Sequence, residues 1–292
     1  MENTPLGIIR SSSKALTVTS KNFRELRDQI TDTYNNRVNK LKELKSEKLK
    51  FFALSFAYVI SFPLIFGFFY KALSTSRSVS KETIKRLNKQ LSEIYVEVKF
   101  ANASQLEKSW LNCLDAFDEL VKSDMIWDLT YAEKIDKVKV RTIADTAVTR
   151  TPIQYVKKSI DIIKSDVSPM SIPNANGPDV FIYPTFLVLF KDNQRFGIFD
   201  LKEITGSLTF TQYHEEQKVP SDGEQIGQTW KKANKDGSRD RRFQGNNFQI
   251  PIMKYGSLTF ESDDGLQESY MFSNAELFTD FAYALESHLK AL

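Results

Sequence analysis

FFALSFAYVISFPLIFGFFY, residues 51–70, is a run of twenty residues without a charge, closed by Lys50 and Lys71. A helix of this length, rising about 1.5 Å per residue, reaches roughly 30 Å, the hydrocarbon thickness of a bilayer. The run holds seven phenylalanines, with Tyr58 and Tyr70 besides, which suits lipid and its interface. Pro63 and Gly67 weaken a helix in water and are tolerated in one surrounded by lipid. The competing reading is a buried core helix, but such helices usually keep a polar face or stop before about eighteen residues. The run therefore predicts a single-pass membrane protein. A basic tail and amphipathic helix (1–50) lead into a transmembrane helix (51–73), and most of the mass lies beyond it.

Charge divides the chain the same way. Of its 292 residues, 1–50 carry eleven Lys/Arg against six Asp/Glu, 71–171 seventeen against fourteen, and 172–292 twelve against seventeen. The basic excess sits beside the expected span, where anionic headgroups attract it. The acidic C-terminal part argues against a general nucleic-acid role. Orientation is not decided by counting, because 31–50 and 71–90 each hold six Lys/Arg. A single cysteine, Cys113, allows no intrachain disulfide, which favours a cytoplasmic C-terminal domain. With only His214 and His288 beside it, a structural zinc site is excluded. The sequence calls for no cofactor.

The flanking segments read as helices. Phe23, Leu26, Ile30, Tyr34, Val38, Leu41 and Leu44 recur at helical spacing before the apolar run. After it, Ile84, Leu87, Leu91, Ile94 and Val98 step by three and four, a coiled-coil seam. Helices 22–49 and 80–98 are thus candidates for homo-oligomerisation; the alternative is that the helix at 80–98 and the next one, from Ser104, pack on each other as a hairpin. A further helix opens at Ser104 with Glu107 completing a capping box, and its stripe buries Cys113. Residues 74–171 read as an α-helical spacer, with Val138-Lys139-Val140 alternating like a strand.

Beyond the Pro/Gly/Asn-rich stretch at 168–178 the period changes to two. Strands are expected near 179–190, 195–201, 206–213, 248–253, 256–261 and 266–272, then one helix capped by Ser273 with Glu276. This order, antiparallel strands closed by a C-terminal helix, resembles a pleckstrin-homology-like barrel. The fold class is α+β, with a β domain over 172–292 interrupted by an insertion at 215–247.

The insertion carries the most distinctive wording: Thr229-Trp230-Lys231-Lys232-Ala233-Asn234-Lys235-Asp236-Gly237-Ser238-Arg239-Asp240-Arg241-Arg242-Phe243, then Asn247 and Gln249-Ile250-Pro251. Together with Tyr255-Gly256-Ser257-Leu258, Gly265-Leu266 and Ser273-Asn274, it resembles a block found in a family of bacterial membrane-anchored proteins that has no assigned activity. The resemblance covers about 179–285 and implies no chemistry. From the residues themselves, Trp230, Lys235, Arg239, Arg241, Arg242 and Phe243 are candidate ligand-binding groups, since guanidinium and aromatic side chains together grip anionic ligands. The bland alternative pairs the arginines with the domain's own carboxylates and uses the two rings to pin the loop. A calcium loop fails, because Lys232 and Phe243 would fall at ligand positions.

Pro178-Asp179 followed by Asp200-Leu201-Lys202 resembles the PD…(D/E)xK pattern of restriction-type nucleases, in which two carboxylates hold a divalent metal beside a lysine. The triplet is common in so charged a chain: Glu43, Glu97, Asp200 and Glu216 each begin one. No Walker loop, dinucleotide glycine fingerprint, GxSxG or HExxH is present. The sequence thus points to a membrane-anchored binding or scaffold protein for a partner protein or anionic ligand. A membrane-tethered nuclease using Asp179, Asp200 and Lys202 is the alternative.

Overall fold

Arg24–Ser61 forms one helix, α1, and Gly67–Ser92 a second, α2. The computed structural model describes residues 8–9, 16, 18–61, 67–100, 104–134, 146–175, 177–243 and 245–292. The straight span expected over 51–73 is not formed. α1 stops within the apolar run, α2 begins at Gly67, and the two pack as an antiparallel hairpin. Among the described residues no helix is long and apolar enough to cross a membrane. The single-pass reading is corrected accordingly, and with it the cytoplasmic placement of residues 172–292, which lost its premise.

The physical reason is a heptad seam that the apolar run shares with the charged segments around it. On α1 the sheltered positions Leu44, Glu47, Phe51, Leu54 and Tyr58 step 3, 4, 3, 4, and on α2 Leu73, Arg77, Ser80, Ile84 and Leu87 step 4, 3, 4, 3. Arg77 lies over the rings of Phe51 and Tyr58, 5.4 Å from each centroid, and its Nε donates to Ser55 Oγ at 3.0 Å. Tyr58 stacks on Tyr70, and Ser80 Oγ donates to the Glu47 carbonyl. The two stripes that suggested self-association therefore face each other within one chain. The hairpin belongs to a compact unit of Arg24–Lys99 with Ile160–Asp166, where a short parallel strand pair forms between Val96–Val98 and Ile163–Ser165.

The second unit comprises Met1–Phe23, Phe100–Ser159 and Val167–Leu292. Counting the two strands above as β2 and β5, its elements are β1 (Ile8–Ile9), α3 (Ser104–Leu120), β3 (Ile126–Lys134), β4 (Thr146–Ile153), β6 (Met170–Ile172), β7 (Asp179–Ile182), β8 (Phe186–Asp192), β9 (Arg195–Asp200), β10 (Thr205–His214), β11 (Glu224–Trp230), β12 (Gln249–Glu261), β13 (Gln267–Phe272) and α4 (Ala275–Ala291). They make two open antiparallel sheets. One runs β1-β3-β13-β12-β10, with β4 beside β3 and β11 beside β12; the other runs β6-β7-β8-β9. The pleckstrin-homology-like barrel is therefore not formed. β3 and β4, which fall in the expected helical spacer, join the sheet of β12 and β13, while β7 to β9 separate into their own sheet. Val138-Lys139-Val140 lies outside the described residues.

α4 is held between these layers rather than plugging a barrel end. Phe278, Phe281 and Leu285 share a buried core with Trp110 and Phe117 of α3, with Leu187 and Phe199 of one sheet, and with Leu258 and Phe272 of the other. The cap of α4 is Asn274, whose side chain accepts from the amides of Glu276 and Leu277. Ser273, expected to be the cap, is buried and accepts instead from the Met125 amide at 3.0 Å. His288 is fully buried, with Nε2 2.7 Å from the Pro184 carbonyl and Nδ1 2.9 Å from Ser109 Oγ. Cys113 is core, as its stripe predicts, and burial pushes its thiol up to about 12.

Candidate functional site

The long connection between β11 and β12 is an ordered loop built from its own side chains. The strands leave it at the pair Trp230–Gln249, and the Lys231 amide still reaches the Phe248 carbonyl at 2.9 Å. One step further in, backbone pairing gives way to a buried asparagine. Asn247 Oδ1 accepts from the Lys232 amide at 2.9 Å, and its Nδ2 donates to the carbonyls of Lys232 at 2.7 Å and Asp240 at 3.2 Å. A four-residue turn follows, with the Gly237 amide on the Asn234 carbonyl. Gly237 has φ +82, which side chains other than glycine's rarely adopt. Asp236 completes the turn by accepting from the amide and hydroxyl of Ser238, and these bonds hold its carboxyl below the usual range. That carboxylate is spent on a turn, as expected when the calcium reading was rejected.

The charge on the loop is concentrated and turned outward. Residues 231–242 hold six Lys/Arg and two Asp, a difference of +4. Arg242 grips the buried Asp240 with two nitrogens, Nε at 2.9 Å and Nη2 at 2.8 Å, yet its side chain stays 59% exposed. Those bonds raise the guanidinium above its ordinary value. The Arg239 guanidinium stacks over Trp230, 5.0 Å from the centroid. Lys231 pairs with Glu216 at 2.9 Å and lies over the exposed Phe248 ring. Lys235 and Arg241 are exposed, and so is Phe243. The six candidate residues are thus on one loop. Arg242 and Arg239 are held in place within it, while Phe243 does not pin it to the sheet.

The nuclease residues are not brought together. Asp179 pairs with Phe190 at one end of β8, and Asp200 pairs with Phe186 at the other. Four residues of strand separate the two levels, about 13 Å, and the strands lie on opposite sides of β8. Two such carboxylates cannot share one metal at bonds of roughly 2.0–2.6 Å. Each has another occupation. Asp179 pairs with Lys158 at 2.7 Å and accepts from the Asn174 amide. Asp200 accepts from Asn22 Nδ2 and caps a 3₁₀ turn at the Lys202 amide, while the Lys202 side chain is exposed. No group of three or more His, Cys, Asp or Glu able to hold a metal occurs among the described residues.

Sequence reasoning missed the root of the insertion. Glu215 is buried against Arg150 of β4, with side-chain exposures of 0% and 3%. Arg150 Nη2 donates to both carboxylate oxygens at 2.7 and 2.6 Å. Tyr255 adds its hydroxyl at 2.9 Å, and the Gln217 amide accounts for a further bond at 2.9 Å. The guanidinium is enclosed by Trp127, Tyr213 and Tyr255, at 4.1, 4.0 and 5.8 Å from their centroids. The chain thus enters the insertion from a fixed point. The sequence signal was slight: three aromatics on strands of period two, and an arginine between threonines.

No family model, curated protein or solved structure matches this chain.

Proposed function

We propose that the chain is a binding protein whose 231–248 loop recognises an acidic segment of a partner protein. The observation that carries this reading is the division of labour within the loop. Asp240 and Asn247 are buried and build it, while Lys235, Arg241, Arg242 and Phe243 face solvent. Many of its amides are consumed internally: those of Lys232, Asn234, Gly237, Asp240, Arg242 and Phe243 all donate within the loop. Phosphate cradles depend on free amides, so recognition here falls to side chains. Guanidinium groups favour carboxylates, and the Phe243 ring offers an apolar contact beside them. The C-terminal residues 172–292 carry twelve basic against seventeen acidic groups, which concentrates attraction for an acidic segment on this loop and disfavours nucleic acid.

Trp230 is the natural reporter, because Trp110 and Trp127 are buried and Arg239 stacks on Trp230. A synthetic peptide alternating glutamate with phenylalanine should change its emission saturably. Arg241→Ala/Arg242→Ala should weaken that binding about tenfold or more, with the melting temperature little changed. Equal affinity in the double variant removes the loop as the recognition site.

A further inference from the structure

α1 changes character towards its C-terminal end on a face that the seam does not use. Leu49, Phe52, Phe56 and Val59 recur at three, four and three, which places them on one stripe of the helix. They are 70, 70, 63 and 68% exposed, and Ile60 beside them is 47% exposed. The seam residues Phe51, Leu54 and Tyr58 are sheltered by comparison. Off the seam, a helix in water carries charge, as α1 does up to Lys50. Three of those charges stand directly above the apolar stripe: Lys45 four residues before Leu49, Lys48 four before Phe52, and Lys42 seven before Leu49. All three are exposed.

We propose that this face of the hairpin docks on a lipid surface bearing anionic headgroups. It lies in the interface and does not cross the bilayer. From Leu49 to Ile60 the helix advances about 17 Å, well short of the roughly 30 Å hydrocarbon core. Large rings below the headgroups with lysines level with them is the arrangement of an interfacial amphipathic helix. Charge decides between occupants. Lysines beside the stripe are attracted by anionic lipid. A second copy laid parallel on the same face would bring its own Lys42, Lys45 and Lys48 against them. The proposal is independent of the binding loop, which lies in the other unit.

The test is co-sedimentation of the full chain with vesicles of phosphatidylcholine alone or with about 30% phosphatidylglycerol. The protein is expected to sediment with the anionic vesicles and to be released by salt. Phe52→Glu/Phe56→Glu should lower the bound fraction about tenfold or more, with unchanged circular dichroism because both side chains are exposed. In a second arm, Val59→Trp should show emission quenched by lipid brominated along its acyl chains. The proposal is overturned if the wild-type protein stays in the supernatant, if F52E/F56E sediments as well as wild type, or if that quenching is absent. A smaller oligomer in F52E/F56E with unchanged sedimentation also overturns it, and assigns the face to a second copy.

Discussion

Arg150 meets Glu215 through a single nitrogen, Nη2, which reaches both carboxylate oxygens at 2.7 and 2.6 Å inside an aromatic enclosure. Arg150 Nε and Nη1 have no hydrogen-bond partner and lie against ring faces instead. Such a pair costs desolvation on both sides, so its net contribution is small, whereas breaking it strands a buried charge. Arg150→Ala or Glu215→Ala should each destabilise by about 3–5 kcal/mol, and Arg150→Met/Glu215→Leu by much less than their sum. Urea denaturation of the four proteins checks this.

Asn247 replaces strand pairing with three side-chain hydrogen bonds inside the loop. Asn247→Ala should remove the side-chain acceptor of the Lys232 amide and one donor each from the Lys232 and Asp240 carbonyls, which keep the Asp240 and Phe243 amides, at a local cost of about 1–3 kcal/mol in all. The expected readout is faster amide exchange at Lys232, and protease cleavage confined to 231–248. Unchanged exchange at that amide would show that the loop does not depend on Asn247.

At Gly256, β12 passes close against α4. A Cβ built there would stand 2.1 Å from Phe278 Cγ, well inside contact distance. Phe278 also packs on Phe210 and Phe272, so its ring has little room to move. Gly256→Ala should therefore destabilise by about 1–3 kcal/mol through overpacking, and Gly256→Ala/Phe278→Leu should recover part of that loss. Both are measured by thermal or urea unfolding.

Burial lowers the pKa of His288 from its ordinary value, partly opposed by the hydrogen bond to the Pro184 carbonyl. A carbonyl only accepts, so Nε2 carries the hydrogen. Because the folded form resists the second proton, the unfolded chain binds more protons as pH falls below about 6.5. Stability should be full above that value and decline below it towards the depressed folded pKa. His214, also lowered by burial, adds to the same slope. His288→Gln should flatten the decline of stability below about pH 6.5 in part, and His288→Gln/His214→Gln should flatten it further.

These residues also show where the sequence was legible. The period-two pattern between Asp179 and Phe272 and the helix after Asn274 are legible locally, but the expected strands at 248–253 and 256–261 are one strand, β12, the run 179–190 is two, β7 and β8, and β11 lies within the expected insertion. The seam from Ile84 to Leu91 is real too, but spacing does not say which helix it meets. The apolar run misled because length and charge define a span, whereas the pairing of α1 with α2 depends on seam residues about thirty positions apart, such as Glu47 and Ser80. Of the two residues read as harmless in lipid, Gly67 begins α2 and Pro63 lies outside the described residues. Arg150 and Glu215 are 65 residues apart in the chain, and no local period links them. The loop's outward cations were visible as composition; the buried Asp240 and Asn247 that support them were not.

β12 is bonded along both edges: β10 runs along one side from Ile252 to Glu261, and on the other β11 covers 249–254 and β13 covers 256–261. In an antiparallel ladder the bonds lie across the strand direction. A pull on the loop directed along β12 must therefore shear many bonds at once instead of peeling them one by one. The 231–248 loop is thus mounted as a handle on a strand bonded along both edges, so tension applied to it along β12 would pass into the body of the sheet.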